Sequence, residues 1–409
     1  MNLNPLQRPL ASSPATVSAA KRRAILLLAL ATFASMVAQR LCDAMLPELA
    51  KVFSVNLAQA SRVVSAFAVV YGLAQLFYGP LGDRMGKFKV ISFATLACSL
   101  GSLAAFFTAS LDQLVWTRML VALAAAGIIP LSMAWIGDAV AEDQIQEMLA
   151  RVGLGTTMGI VGGQLFGGLL SDTLGWRWAF VLLAMIFGLV GVLLLLDWRS
   201  QADARPVARS ASAPGLVAQT LLIVIGPWSR IVLLVALLEG AAGFGVLAIW
   251  PSHLHHALGL PLTSAGAIVA LFGLGGLLYM MAARRLMQRF EQTVLARLGA
   301  GLMSLSTLIF AFAPYWQITL PACLLSGFGF FMFHTVMQAN ATRMAPTARG
   351  TAVALFSSAL FLGQSLGVLL AADLIERIGS AAVIAGGGLV VLLLGFYLAR
   401  AMQRPQAAN

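Results

Sequence analysis

Five ionisable side chains interrupt runs that are otherwise apolar: Arg40, Asp43, Arg118, Glu239 and His334. Such groups are expensive in apolar surroundings and mark a functional path when they occur there. The chemistry open to them is proton uptake and release, or recognition of a charge on a small solute. Arg40 and Asp43 stand three residues apart, on one face of a helix, where they can pair. A carboxyl that alternates between a paired and a desolvated setting takes up and releases a proton. The other reading of this pair is a fixed salt bridge near the outer surface. Glu239, inside Leu237-Leu238-Glu239-Gly240, has no charged neighbour within one turn. It is expected to be an isolated carboxyl serving as a proton or cation site, the alternative being a neutral acid hydrogen-bonded to another helix. Arg118 reads as an interior charge partner or proton relay, and His334 as a relay or a plain hydrogen-bonding group. No nucleophile–base set, metal-ligand cluster or Gly-rich lysine loop for nucleotide phosphates accompanies them. Enzyme chemistry, a metal centre, a cofactor and direct ATP hydrolysis are therefore not expected.

The elements that must position these groups follow from composition. Of 409 residues, 60% are hydrophobic and only 10% charged, against roughly 25% charged in ordinary globular chains. A bilayer-spanning helix takes about 20 apolar residues. Apolar runs recur at about 24–46, 58–80, 90–109, 113–136, 149–171 and 176–196, then at 231–250, 263–283, 293–313, 317–340, 350–371 and 380–401. The expected fold class is an all-α integral membrane protein of twelve transmembrane helices in two pseudo-symmetric six-helix halves. Short connections leave no room for a large water-soluble domain, which excludes a soluble enzyme and a sensor with an added domain. Cys42, Cys98 and Cys323 all fall in apolar runs and read as packing residues rather than a disulfide framework.

The formal charge of +11 arises from 26 basic and 15 acidic residues. In a membrane chain this reflects basic residues gathered on the cytoplasmic side, so the expected partners are the lipid bilayer, protons and a small-molecule substrate, with no nucleic acid. Lys21, Arg22 and Arg23 precede the first run; Arg84, Lys87 and Lys89, then Arg199, Arg205 and Arg209, Arg284, Arg285 and Arg289, and Arg343 and Arg349 fill alternate connections. The opposite connections hold only Lys51, Arg62, Arg177 and Arg377, and the one near His253, His255 and His256 has neither Lys nor Arg. Those histidines are expected just beyond the seventh span, outside, and without carboxylate or thiol neighbours they do not read as a metal site. Both termini are thus expected to be cytoplasmic in a multi-pass protein of the inner (plasma) membrane. The organisation reads as a cytoplasmic N-terminal segment (1–23), a first six-helix half (24–197), a cytoplasmic linker (198–228), a second half (229–402) and a cytoplasmic tail (403–409). Leu216 to Ile225 is too short to span and is expected along the inner surface. Nothing in the sequence demands more than a monomer.

Self-similarity supports two halves. Val70-Tyr71-Gly72-Leu73 matches Leu271-Phe272-Gly273-Leu274 at an offset of 201, and Gly163-Gln164 with Gly167 matches Gly363-Gln364 with Gly367 at an offset of 200. Asp172 and Asp373 fall at corresponding helix ends. Repeated similarity at a fixed offset indicates duplication, and paired membrane repeats place a substrate site at their interface near mid-membrane.

Gly79-Pro80-Leu81-Gly82-Asp83-Arg84-Met85-Gly86-Lys87-Phe88-Lys89 lies between the second and third runs. It resembles the signature loop of the major facilitator superfamily. The resemblance implies that Gly79, Asp83, Arg84, Gly86 and Lys87 form a turn that braces one conformation by contact with the eleventh helix. The counterpart in the second half keeps only Arg284, Arg285 and Arg289. Gly159-x-x-x-Gly163-Gln164-x-x-Gly167-Gly168 is similar to the fifth-helix motif of the drug:proton antiporter branch, with Gln164 where that motif has proline. Glycines four apart let helices approach closely, and the amide of Gln164 can hydrogen-bond across the bundle. Asp43 with Leu46-Pro47-Glu48-Leu49-Ala50 is similar to the end of the first helix in that branch, Arg118 to its fourth-helix arginine, and Gly175-Trp176-Arg177-Trp178-Ala179-Phe180 to the opening of its sixth helix. The resemblance implies a proton-coupled secondary transporter that exports small amphipathic or drug-like molecules by alternating access. The alternative, left open by Gln164, is an exporter or proton symporter of sugars, amino acids or other small solutes on the same fold. Gln39, Gln75, Gln338 and Asn340 are candidates for lining a cavity, and Phe330, Phe331, Met332 and Phe333 read as packing more readily than as a binding wall.

Overall fold

The structure, a computed structural model, describes residues 18–198, 216–346 and 348–403. The described residues form seventeen α-helices and one π-helical turn. The first apolar run is split: α1 (Ala19–Arg40) ends in a non-helical stretch before the short α2 (Leu46–Val52). Pro47 explains the break, because it has no N–H to donate to the carbonyl of Asp43 and so cannot continue α1. The run expected to be one helix to Leu46 therefore stops at Arg40. The segment 1–23 is helical from Ala19 onward, and its first 17 residues lie outside the described part.

The chain continues as α3 (Leu57–Ala60), α4 (Arg62–Met85), α5 (Lys87–Phe106), α6 (Leu111–Ala125), α7 (Ile128–Ala139), α8 (Glu142–Thr173) and α9 (Trp176–Trp198). Most of the stretch 198–228 read as a linker lies outside the described residues; its apolar segment is α10 (Leu216–Ile225), whose Ile223 packs with Ala352 and Leu355. Next come α11 (Pro227–Glu239), the π-helical turn Gly240–Gly245 and α12 (Trp250–Leu258). The three histidines expected in a loop beyond the seventh run instead belong to α12. His253 is buried there and its Nδ1 lies 2.8 Å from Ser380 Oγ. The chain closes with α13 (Leu262–Arg289), α14 (Gln292–Ala311), α15 (Trp316–Arg343), α16 (Arg349–Ile378) and α17 (Ser380–Gln403).

Among the described residues, eleven helical stretches have the length and composition to cross a membrane. The 32-residue α8 is not one of them: its glycines and Gln164 make it less apolar than the others, although its length suffices. Leu100 (71% exposed), Leu196 (67%) and Leu393 (62%) show how apolar the outer surface is, as a protein bathed in lipid requires. Two hydrophobic cores form inside. One draws on residues 24–194 with Ala248, Phe361 and Val368; the other draws on residues 232–398.

The segments feeding the two cores meet along α8 with α13 and along α4 with α16. At the end remote from the basic α4–α5 turn this seam is stitched by polar contacts. Ser65 and Ser365 place their hydroxyls 2.7 Å apart, and Asp172 accepts from the Thr263 backbone N–H at 2.6 Å and from its hydroxyl at 2.8 Å.

Candidate functional site

The two fully buried acids, Asp43 and Glu239, sit at interruptions of a spanning helix. Asp43 lies in the break between α1 and α2, and Glu239 is the last residue of α11 before the π-helical turn. Helix breaks leave backbone groups and side chains free to serve a site within a membrane, and π-turns gather at functional positions.

Around the first break, Asp43 Oδ2 accepts from Arg40 Nη1 at 3.3 Å and from Gln164 Nε2 at 3.0 Å. Arg40, Asp43 and Gln164 are all fully buried. The pair expected from i,i+3 spacing is thus present, and the amide standing where the antiporter motif has proline reaches across from α8. The glycines of that motif make the approach possible: a Cβ at Gly163 would lie 2.7 Å from the Arg40 Cβ, and side chains at Gly159 and Gly167 would strike the backbone of α1 and of Leu41 just after it. Arg118, on α6 and 1% exposed, is close enough to act on the charge of Asp43. Its guanidinium carbon stands 4.2 Å from the centre of the Phe67 ring, a favourable cation–π geometry. Among the described residues none of its three nitrogens has a hydrogen-bond partner. Arg40 is thus hydrogen-bonded to the carboxylate, while Arg118 acts on it only through its charge.

At the second break the expectation of an isolated carboxyl fails. Glu239 Oε1 lies 2.9 Å from His334 Nδ1 of α15. The acid is fully buried, whereas the His334 side chain keeps 12% of its surface exposed. Leaving a carboxyl unpartnered in such surroundings costs about 1–3 kcal/mol even when neutral, which is the physical reason a partner is found. Phe330 stacks on the His334 ring with centroids 5.5 Å apart and planes within 11°.

One aromatic side chain that the residue patterns did not single out joins the two clusters. Phe244, in the π-helical turn, lies 4.2 Å beneath the Arg40 guanidinium, receives a 3.5 Å hydrogen bond from Arg40 Nη1 at its carbonyl, and packs tilted against Phe330 with ring centres 4.5 Å apart. A continuous path of contact thus runs from Gln164 through Asp43, Arg40, Phe244, Phe330 and His334 to Glu239. The only sequence signal for Phe244 is its place in the glycine-rich Gly240-Ala241-Ala242-Gly243-Phe244-Gly245 that follows Glu239. Phe330 and Phe333 are buried, as packing residues would be, yet Phe330 also touches the site. Of the amides proposed as lining, Gln39, Gln75 and Asn340 are buried and Gln338 is exposed.

The segment expected as a signature turn lies apart from this path and is mostly helical: Gly79, Asp83 and Arg84 belong to α4, Lys87 opens α5, and only Gly86 stands between them. Gly86 has φ 89°, a conformation that glycine adopts without strain. Asp83 pairs with Lys87 at 3.5 Å, and Lys87 also pairs with Asp138 of α7. Among the described residues these ion pairs run to α5 and α7, and none runs to α16. Gly79 has open space around it, and Arg84 is exposed.

Comparison with known proteins places this geometry. A family model described as Major Facilitator Superfamily matches residues 28–368. The multidrug export protein EmrB of Escherichia coli (strain K12) is 27% identical over 199 residues, covering 49% of this chain and 38% of that protein, so the chain matches well under half the length of this curated relative. The uncharacterised MFS-type transporter YceJ of Bacillus subtilis (strain 168) is 24% identical over 368 residues, covering 88% of this chain and 90% of that one. The riboflavin transporter RibZ of Clostridioides difficile (strain 630) is 23% identical across 42% of this chain and 37% of that protein. Among solved structures, a point mutant of the nucleoside transporter NupG superposes with a TM-score of 0.77 at 13% identity, covering 93% of this chain and 100% of that one. A bacterial homologue of the human lysosomal transporter Spinster, inward-facing and occupied, gives 0.76 at 16% identity over 96% of this chain and 100% of that one. At these identities the likeness speaks for the fold alone.

Proposed function

The chain belongs to the major facilitator superfamily, a family of multi-pass membrane transporters and not of enzymes, and we propose that it is a proton-coupled exporter of small amphipathic molecules. In this reading twelve spans, with α8 as the fifth, form two six-helix halves that rock about a central site. Both termini lie on the cytoplasmic side of the inner membrane, and the protein works as a monomer. The observation that carries the proposal is the pair of buried acid clusters at helix breaks, joined through Phe244 and Phe330.

The chemistry runs as follows. Ionised Asp43 holds Arg40 and Gln164; protonated, it releases Arg40 and weakens the link between α1 and α8. Removing one partner from a buried ion pair costs about 3–5 kcal/mol, enough to bias a conformational equilibrium by more than a hundredfold. Glu239 and His334 form the second buried contact, on the other side of Phe244, and His334 is its partly exposed member, the one nearer to water. Energetically one proton suffices. A potential of 100 mV supplies about 2.3 kcal/mol per charge and one pH unit about 1.4 kcal/mol, together sustaining a roughly 500-fold gradient of a neutral substrate. Relatives named as export proteins support outward transport. Gln164 in place of the motif's proline favours a second reading, an exporter or proton symporter of small solutes.

Proteoliposomes carrying an imposed pH gradient test the proposal. Substrate movement against its gradient, abolished by an uncoupler and by Asp43→Asn or Glu239→Gln, is expected. Proton-driven transport retained in Glu239→Gln removes that residue from the mechanism, and substrate moving together with protons turns the reading to symport.

A further inference from the structure

A cavity of about 900 Å³ opens on the outer surface of the bundle between α4, α5 and α6, well away from the Asp43 and Glu239 clusters. Its floor is made of small residues, Ala97, Gly101 and Ala104 of α5 among them, and its walls include Phe93 and Leu120, which are 51% and 61% exposed. From Lys89 to Ala104 the helix rises roughly 22 Å, more than the roughly 15 Å of hydrocarbon that one leaflet contributes. The groove therefore runs from the headgroup level beyond mid-membrane.

Lys89 lines its mouth at the basic end of the bundle, and its ammonium lies 5.3 Å from the ring centre of Trp198 at the end of α9. Among the described residues Lys89 makes no ion pair, in contrast to its neighbour Lys87, which pairs with Asp83 and Asp138. Arg84, also exposed at that turn, is not among the residues that line the groove, which leaves Lys89 as its cation. An apolar trough with an uncompensated cation at the headgroup level is complementary to a molecule with a long hydrocarbon tail and a negative head.

We propose that this groove binds one anionic phospholipid of the leaflet bordering the α4–α5 turn. An acyl chain lies over Ala97, Gly101 and Ala104, and the phosphate and anionic headgroup face Lys89. The indole of Trp198 fixes the ammonium at the interface, where aromatic residues concentrate. Attraction of this kind is worth about fivefold in affinity for each cation at an anionic membrane surface.

The test uses the full chain reconstituted in vesicles of equal parts phosphatidylglycerol and phosphatidylcholine, released into detergent and weighed by native mass spectrometry. Wild-type protein is expected to retain phosphatidylglycerol over phosphatidylcholine by about fivefold. Lys89→Gln brings that ratio close to one. Ala97→Leu with Ala104→Leu, both at exposed positions, fills the trough and removes the retained lipid while leaving the melting temperature in place. Equal retention of the two lipids by wild type overturns the proposal. So does a preference that survives Lys89→Gln, or one that survives the filled trough, which assigns the effect to diffuse surface charge.

Discussion

The most local feature of the site is also the one the sequence made easiest to find. Arg40 and Asp43 are three residues apart, close enough in sequence to meet where α1 ends. Glu239 and His334 are 95 residues apart, and no period or spacing encodes their meeting; only the folded packing of α11 against α15 does. For the same reason Glu239 looked isolated in the sequence. A double-mutant cycle measures what the pairing contributes. Glu239→Leu and His334→Leu each leave the remaining polar side chain short of a partner, and each is expected to lower stability by about 1–3 kcal/mol. Their combination is expected to cost less than the sum, with an interaction energy of at least about 1 kcal/mol. Thermal melting of the four proteins in detergent reads it. Additivity within experimental error means that the 2.9 Å contact does not hold in solution.

Helices are legible because a membrane span must be long and apolar: eleven of the twelve runs read from composition coincide with candidate spans and the twelfth falls in α8, although several ends lie six to eight residues from those expected. Interruptions are harder to see. Pro47 announces the break after α1, but nothing in Gly240–Gly245 distinguishes a π-helical turn from a glycine-rich α-helix until the neighbour is known. That neighbour is α16. A Cβ on Gly363 would strike the Leu237 carbonyl of α11, and one on Gly367 would strike the carbonyl of Ala241 in the π-turn. These glycines thus do for α11 and α16 what Gly163 and Gly167 do for α1 and α8, at the offset of 200 seen in the sequence. Gly363→Ala is expected to destabilise by about 1–3 kcal/mol through overpacking. Gly386→Ala, on α17 with open space around it, is expected to be neutral or to gain up to about 1 kcal/mol in helix propensity. Opposite signs in the two melting temperatures are the expected outcome; a harmless Gly363→Ala denies the close crossing.

At the scale of the whole molecule, the choice of which end is closed is a property of the folded ensemble rather than of any motif, and the sequence carried no sign of it. In the alternating-access reading proposed above, the two conformations would share their helices and differ chiefly in which part of the seam is packed. At the end remote from the basic α4–α5 turn the seam holds two polar contacts, Ser65 with Ser365 and Asp172 with Thr263. Among the described residues, the ion pairs of the signature segment at the opposite end run only to α5 and α7. The hydroxyls of Ser65 and Ser365 lie 2.7 Å apart, which brings their Cβ atoms near the roughly 3.5–4.5 Å that a disulfide spans. The native thiols Cys42, Cys98 and Cys323 are buried and do not compete. Ser65→Cys combined with Ser365→Cys is therefore expected to cross-link under mild oxidation and to hold that end shut. If transport requires both conformations to be populated, the oxidised protein loses at least about 99% of its activity, and a reducing agent restores it. Each single substitution, unable to cross-link, leaves transport insensitive to oxidation. A fully cross-linked protein that still transports shows that this seam never opens, and substrate must then pass by a route that does not separate α4 from α16.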